Sequence, residues 1–349
     1  MSAPRVVLLR KRPGEIEKEI FGRAGITIDS VTADELQDGI PERVYSADAI
    51  LLSQPADREF LSKLKKCRVV GRYGLGYDNI DVEACTDLGI AVVVPRGYGE
   101  EDVADHSLAF ILAWHRRIVH YDRLRQANDP RRLSSDLRRL STLVAGLCGF
   151  GGIGRNLALK LQALGMRVLA YDPYVKPEVF EAMGVERVEF EDLLAQADVI
   201  SIHSALTPET YHLFDEAAFR AMKKKPLIVN TARGSIISTE ALVKALDEEL
   251  ICGACLDVLE GEHIPVFMAQ GAESEEQAAA RNEAMARLRS HPNVILTPLI
   301  AYQSTTAKAE LPRRMAQNVV DVLEGWIPEG LVNPQVIEIL GLKERSQTS

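Results

Sequence analysis

At 349 residues the chain has room for two ordinary domains, and 46% hydrophobic against 26% charged residues is a globular composition that excludes a disordered protein. A net charge of −9 argues against a nucleic-acid wrapper, and the eight arginines between Arg116 and Arg139 read as a solvated helical face. Apolar runs are strand-sized, MSAPRVVLLRKRP enters a strand without a signal-peptide core, and five cysteines do not make a secreted scaffold, so a cytoplasmic chain with reduced thiols and no membrane span is expected.

The first elements are strand-like: RVVLLR, ITID, AILLS, VVGRYG and AVVVP, separated by enough chain for crossovers. An apolar helical stretch follows from Val103 to Val119. A second series runs TLVAGLCGF, RVLAYD, DVISIH, LIVNTAR, ICGACLDV and VILTP, the six strands of a full Rossmann sheet. Cys252 and Cys255 form a C-x-x-C in the fifth of these; with no second pair, a buried strand and no metal are expected. Residues 262–293 break the rhythm. Within them AESEEQAAARNEAMARLRS is helix-like, with Ser274 and Gln277 at capping-box spacing and Arg287 and Arg289 in the last turn. It reads as an exposed surface insertion, with a lid as the alternative. A helix from Thr305 to Trp326 is too short for a domain and returns to complete the first.

The fold class is therefore α/β with two doubly wound parallel-sheet domains. One is flavodoxin-like and discontinuous, residues 1–101 and 303–349; the other is a Rossmann domain, residues 102–302, with an insertion at about 263–292. Such sheets take ligands at the carboxyl ends of their strands, so substrate is expected in the cleft between the two domains.

Gly149, Gly151 and Gly154 follow an apolar strand and open an alanine-rich helix, and Asp172 closes the next strand 18 residues beyond Gly154. That context turns G-x-G-x-x-G into a dinucleotide fingerprint. The glycines supply a tight turn, a backbone bare enough to approach pyrophosphate, and close helix-to-strand packing, while the helix start at Gly152 and Ile153 offers unpaired N–H groups to the anion. Asp172 accepts hydrogen bonds from a ribose and repels a 2′-phosphate, which favours NAD over NADP.

Five ordered motifs carry a resemblance: GLGYDNID at 74–81, VADHSLAFIL at 103–112, GFGGIG at 149–154, NTARG at 230–234 and LDVLEGE at 256–262. YDPY at 171–174 and GWIPEGLVNP at 325–334 add to it. The sequence resembles the D-isomer-specific 2-hydroxyacid dehydrogenases over nearly its whole length, and within them the C-terminal-binding-protein-like branch. The resemblance implies an NAD-dependent oxidoreductase, homodimeric, moving a hydride between nicotinamide and a small 2-oxo or 2-hydroxy acid. It makes Arg233 the residue that grips the substrate carboxylate and polarises the carbonyl, a task suited to a planar, permanently charged fork. It places the catalytic acid at Glu262 and sets His203, Thr207, Thr231, Ala232 and Asp257 at the cofactor. Substrate anchoring falls to the backbone amides around Leu75 and Gly76, with Arg72 and Arg96 adding positive potential and Tyr302 as a pocket wall.

One departure stands out. Where the family carries the histidine that protonates the carbonyl oxygen, this chain reads TPLIAYQST, with Leu299 in its place, and His263 follows Glu262 where proline is usual. Leucine transfers no proton, so a substitute donor is expected among His263, His106, Tyr302 or Glu262 acting through water, with His203 a weaker candidate. The alternatives to a 2-oxo acid enzyme are a site for a phosphonate or other oxyanion analogue, and a non-catalytic NAD(H)-sensing protein.

Overall fold

The computed structural model describes residues 3–9, 11–36, 39–129, 137–262 and 274–345. His263 and the first part of the insertion lie outside the described residues. The chain forms two compact units, one from the residues up to Gly99 and those from Ser304 onward, the other from Glu100–His263 and Ala272–Gln303.

The first unit holds β1 (Arg5–Leu9), β2 (Thr27–Val31), β3 (Ala49–Leu52), β4 (Val69–Arg72) and β5 (Ala91–Val93), all parallel, in the order β2-β1-β3-β4-β5. Helices cover both faces, so β3 is buried at every position rather than at alternate ones. The returning chain enters as helix Thr305–Glu324 and stops where Gly325 turns left-handed, φ 89°. Beyond it, Asn333 is 2% exposed and is held in the core by its amide. Its Oδ1 accepts from Val92 N at 2.8 Å, and its Nδ2 donates to Ile90 O at 2.9 Å and Thr86 Oγ1 at 3.0 Å. Gly330 lies so near β5 that a Cβ there would sit 1.9 Å from Val94 O.

The second unit holds β6 (Val144–Cys148), β7 (Arg167–Tyr171), β8 (Glu186–Arg187), β9 (Val199–Ile202), β10 (Leu227–Asn230), β11 (Gly253–Leu256) and β12 (Val294–Leu296). Their order is β12-β11-β10-β9-β6-β7-β8. Six of these are the strands expected; β8 is an addition, a polar two-residue edge whose exposed Glu-Arg pair carries no apolar period to read. The helix Glu100–His115 buries Val103, Ala104, Ser107, Phe110, Ile111 and Trp114, one face at helical spacing. The following helix Ile118–Gln126 buries nothing, which fits the solvated arginine face. All five cysteines are free, and Cys255 is buried in β11. Among the described residues no group of three or more His, Cys, Asp or Glu is arranged to hold a metal, and no helix is long and apolar enough to cross a membrane.

Candidate active site at the carboxyl edge of the cofactor-binding sheet

Strand register assembles the site. Tyr171 pairs with Cys148, Cys148 with Ile202, Ile202 with Asn230, Asn230 with Leu256 and Leu256 with Leu296. The residues one step beyond, Asp172, Gly149, His203, Thr231, Asp257 and Thr297, therefore lie in one row along the carboxyl edge. Backbone bonds extend that row past the strands: Gly149 N to Tyr171 O at 2.8 Å, His203 N to Cys148 O at 2.7 Å, Asp257 N to Asn230 O at 2.9 Å and Thr297 N to Leu256 O at 3.0 Å.

The glycine turn fits a dinucleotide. Gly149 has φ 100°, and a Cβ there would meet Ser204 N at 2.5 Å; at Gly154 it would meet Gly149 O at 2.3 Å. Gly151 faces open space, as close approach of a pyrophosphate requires. The helix Gly152–Ala163 makes its first intrahelical bond from Arg155 N to Gly151 O at 3.0 Å, so the earlier amides, including those of Gly152 and Ile153, point at the turn without helical partners. Asp172 accepts from Phe150 N at 2.8 Å and Tyr174 N at 3.0 Å, which pins the carboxylate while each oxygen keeps a lone pair for a ribose hydroxyl. His203 Nε2 is 2.9 Å from Ser201 Oγ, while Nδ1 is buried without a hydrogen bond; burial pushes its pKa down to about 3, so the ring is neutral. Thr207 closes a turn with Thr210, its N donating to Thr210 Oγ1 at 2.8 Å.

Beyond β10, Asn230 shapes the NTAR turn: its Oδ1 accepts from Ala232 N and its Nδ2 donates to Arg233 O, both at 2.9 Å. The Arg233 guanidinium donates to Ala232 O at 2.9 Å. Gly234 lets this turn touch the one after β11, since a Cβ would lie 2.0 Å from the Leu259 carbonyl carbon. Glu262, in that second turn, is exposed; its Oε2 accepts from Leu259 N at 2.8 Å, a local bond rather than one to an acid–base partner.

A pair the sequence reading missed stands beside the Gly234–Ser235 segment that follows Arg233. His212 Nε2 is 2.5 Å from Glu260 Oε1, Glu260 Oε2 accepts from Thr239 N at 2.9 Å, and His212 N donates to Ser235 O at 2.9 Å. Burial pushes the Glu260 carboxyl up, but His212 and Thr239 outweigh it and hold the group below the usual carboxylate range. His212 and Glu260 are 48 residues apart, and no spacing rule links them.

The turn after β12 carries Leu299, half-buried with φ 54°, its N–H bonded to Asp257 O at 2.9 Å. Asp257 is 2% exposed and accepts from Thr297 Oγ1, Ile300 N and Ala301 N. Tyr302 follows at the surface, 37% exposed. In the first unit, β4 ends at Arg72, whose Nη1 donates to Tyr73 O at 2.6 Å and packs over Gly74. No hydrogen bond within the described residues uses the amides of Leu75 and Gly76. Arg96 donates to Leu331 O at 3.1 Å and so helps dock the returning chain.

Known proteins are similar in sequence and fold. The family model described as D-isomer specific 2-hydroxyacid dehydrogenase, NAD binding domain, matches residues 108–301. A glyoxylate reductase of Thermococcus litoralis is 35% identical over 85% of this chain and 86% of its own length. One from Korarchaeum cryptofilum is 34% identical over 96% and 98%. The crystal structure of D-lactate dehydrogenase from Aquifex aeolicus, complexed with NAD and lactic acid, superposes with a TM-score of 0.77 at 28% identity, covering 92% of this chain and 96% of that one. With a glycine cradle and pinned carboxylate that fit NAD, the chain belongs to the D-isomer-specific 2-hydroxyacid dehydrogenase family and is an NAD-dependent oxidoreductase acting on a CH–OH group.

Proposed function

We propose that this enzyme reduces a small 2-oxo acid, with glyoxylate the first substrate to test. The observation that carries the reading is Arg233, fixed by Asn230 in a turn that springs from the same strand edge as Gly149, Asp172 and Asp257. The names of the relatives at 33–36% identity, all glyoxylate reductases, support the choice of acid.

NAD, when bound, supplies or accepts the hydride. Arg233 binds the substrate carboxylate and stabilises the charge that grows on the carbonyl oxygen. Buried Asp257 orders the Thr297–Ala301 turn through the hydrogen bonds it accepts, while Thr231 and Ala232 place the arginine. With Leu299 in the histidine's place, the proton reaches the oxygen from water oriented by exposed Glu262. The Leu75 and Gly76 amides are the anion-binding element of the first unit, and Arg72 adds positive potential there. Tyr302 is proposed as a pocket wall. Placement in the C-terminal-binding-protein-like branch rests on the motifs, and a homodimer on the resemblance; both belong to this proposal.

The test is NADH oxidation with glyoxylate, pyruvate and hydroxypyruvate beside their phosphonate analogues. Turnover is expected with a 2-oxo acid, and Arg233→Ala should lower kcat/KM by about 10²- to 10³-fold while NADH still binds. Turnover confined to phosphonates would move the proposal to an oxyanion enzyme. Tight NADH binding without oxidation by any of these compounds would replace it with a nucleotide sensor, the role to which Leu299 is suited.

A further inference from the structure

The helix Glu100–His115 offers two adjacent side chains to the strand ends. Ser107 Oγ lies 3.0 Å from Thr231 Oγ1, and His106 Nε2 lies 3.0 Å from Thr297 Oγ1. Hydrogen-bond direction in the second contact follows from its neighbours. Thr297 Oγ1 is also 2.5 Å from Asp257 Oδ1, and a carboxylate only accepts, so the threonine's single proton goes there. The threonine oxygen then accepts from His106, which fixes the imidazole as the tautomer protonated on Nε2. Asp257 passes the constraint on: Oδ1 takes Ile300 N at 3.0 Å, Oδ2 takes Ala301 N at 2.9 Å, and the carbonyl takes Leu299 N.

The imidazole is itself well held. Phe110, one helical turn on, meets it edge-on at 4.5 Å between centroids. Its side chain is 21% exposed, and Asp257, 3.8 Å away, is the charged group that faces it. Burial lowers its affinity for a proton and Asp257 partly restores it, which leaves the ring neutral at pH 7, as the tautomer argument requires.

We infer that His106 is a positioning residue: by donating from Nε2 to Thr297, and through it to Asp257, it sets the conformation of the Thr297–Ala301 turn on which Leu299 stands. This assigns His106 a supporting part rather than that of a substitute proton donor, because its Nε2 proton is committed to Thr297. The inference rests on the reading that this edge is where reduction takes place.

Four variants test it: His106→Gln, His106→Leu, Thr297→Val and the double His106→Leu/Thr297→Val. Gln retains a donor near the Nε2 position, so His106→Gln should keep kcat within about 3-fold of the parent, whereas His106→Leu should lower kcat by about 10-fold or more with KM and NADH affinity little changed. The double variant His106→Leu/Thr297→Val should be no worse than the poorer single one, since both cut the same chain of bonds. Additive losses, or equal activity of the Gln and Leu variants, would overturn the inference. Nitrogen-15 NMR of the labelled histidines gives a readout free of turnover: His106 should be protonated on Nε2 and respond to Thr297→Val. A proton on Nδ1, or no response, would also overturn it. If the parent enzyme turns over no 2-oxo acid, the proposed function fails, while the NMR result still decides the hydrogen-bonded chain.

Discussion

Leu299 is a leucine in a left-handed conformation, φ 54°, which costs about 1–3 kcal/mol and persists only where the surroundings over-determine it. Here they do: the Leu299 N–H is bonded to Asp257 O, and the next two amides go to the Asp257 carboxylate. Histidine enters this backbone region more readily than leucine, so the turn should accept one. Leu299→His is expected to raise kcat/KM for the 2-oxo acid by about 10²-fold, the lower end of what general acid catalysis supplies, without loss of thermal stability. An unchanged kcat/KM in a folded, NADH-binding variant would remove this turn from the reaction. The leucine in TPLIAYQST was legible in the sequence. The left-handed turn and its anchoring to Asp257 were not, because those bonds join residues more than 40 positions apart.

Among the elements, the returning chain shows how a discontinuous unit is closed. The LVNP segment reaches β5 with Val332 N donating to Val92 O at 2.8 Å, and Asn333 serves one backbone donor, one backbone acceptor and one hydroxyl. Asn333→Ala strands the buried Val92 N–H and should cost about 1–3 kcal/mol, read as a lower denaturation midpoint with the denaturant slope unchanged. A loss under about 0.5 kcal/mol would show that the chain docks by apolar packing alone. The helix Glu275–Ser290 bears on the role of the insertion. Its Ser274–Gln277 capping box is present as the sequence indicated, and Ala284, Met285 and Leu288 are buried in the hydrophobic core, with Arg287 paired to Asp247 from the neighbouring helix Thr239–Asp247. This part is a docked helix rather than the exposed insertion the sequence suggested; its apolar residues Ala284, Met285 and Leu288 stand among charged ones and leave little apolar period to read.

For the whole molecule, acid stability follows from three imidazoles. Burial pushes His203 down to about 3 and His115 to about 4, and lowers His106 as well. A folded-state pKa below the unfolded value of 6.5 means that unfolding takes up a proton, so this stability is complete above pH 6.5 and is lost as the pH falls toward the folded values. Each pH unit crossed in that window removes up to about 1.4 kcal/mol per histidine. Glu17 and Glu260, held below the usual carboxylate range, add their loss only below pH 4.5. The melting temperature should therefore fall between pH 6.5 and 4.5, and His115→Gln should flatten that slope; a flat parent profile would show that these rings are protonated in the fold. Eleven strands, the glycine turn and the places of Asp172 and Arg233 beyond their strand ends were determined by the sequence alone, because apolar runs and glycine spacing are local and act through a few neighbouring residues. Only the tertiary structure decided the edge row of Asp172, Gly149, His203, Thr231, Asp257 and Thr297, the His212–Glu260 pair and the His106–Thr297–Asp257 chain. Those depend on strand register and on loops folding back across tens to nearly two hundred residues, where a hydrogen bond leaves no periodic mark in the chain that makes it.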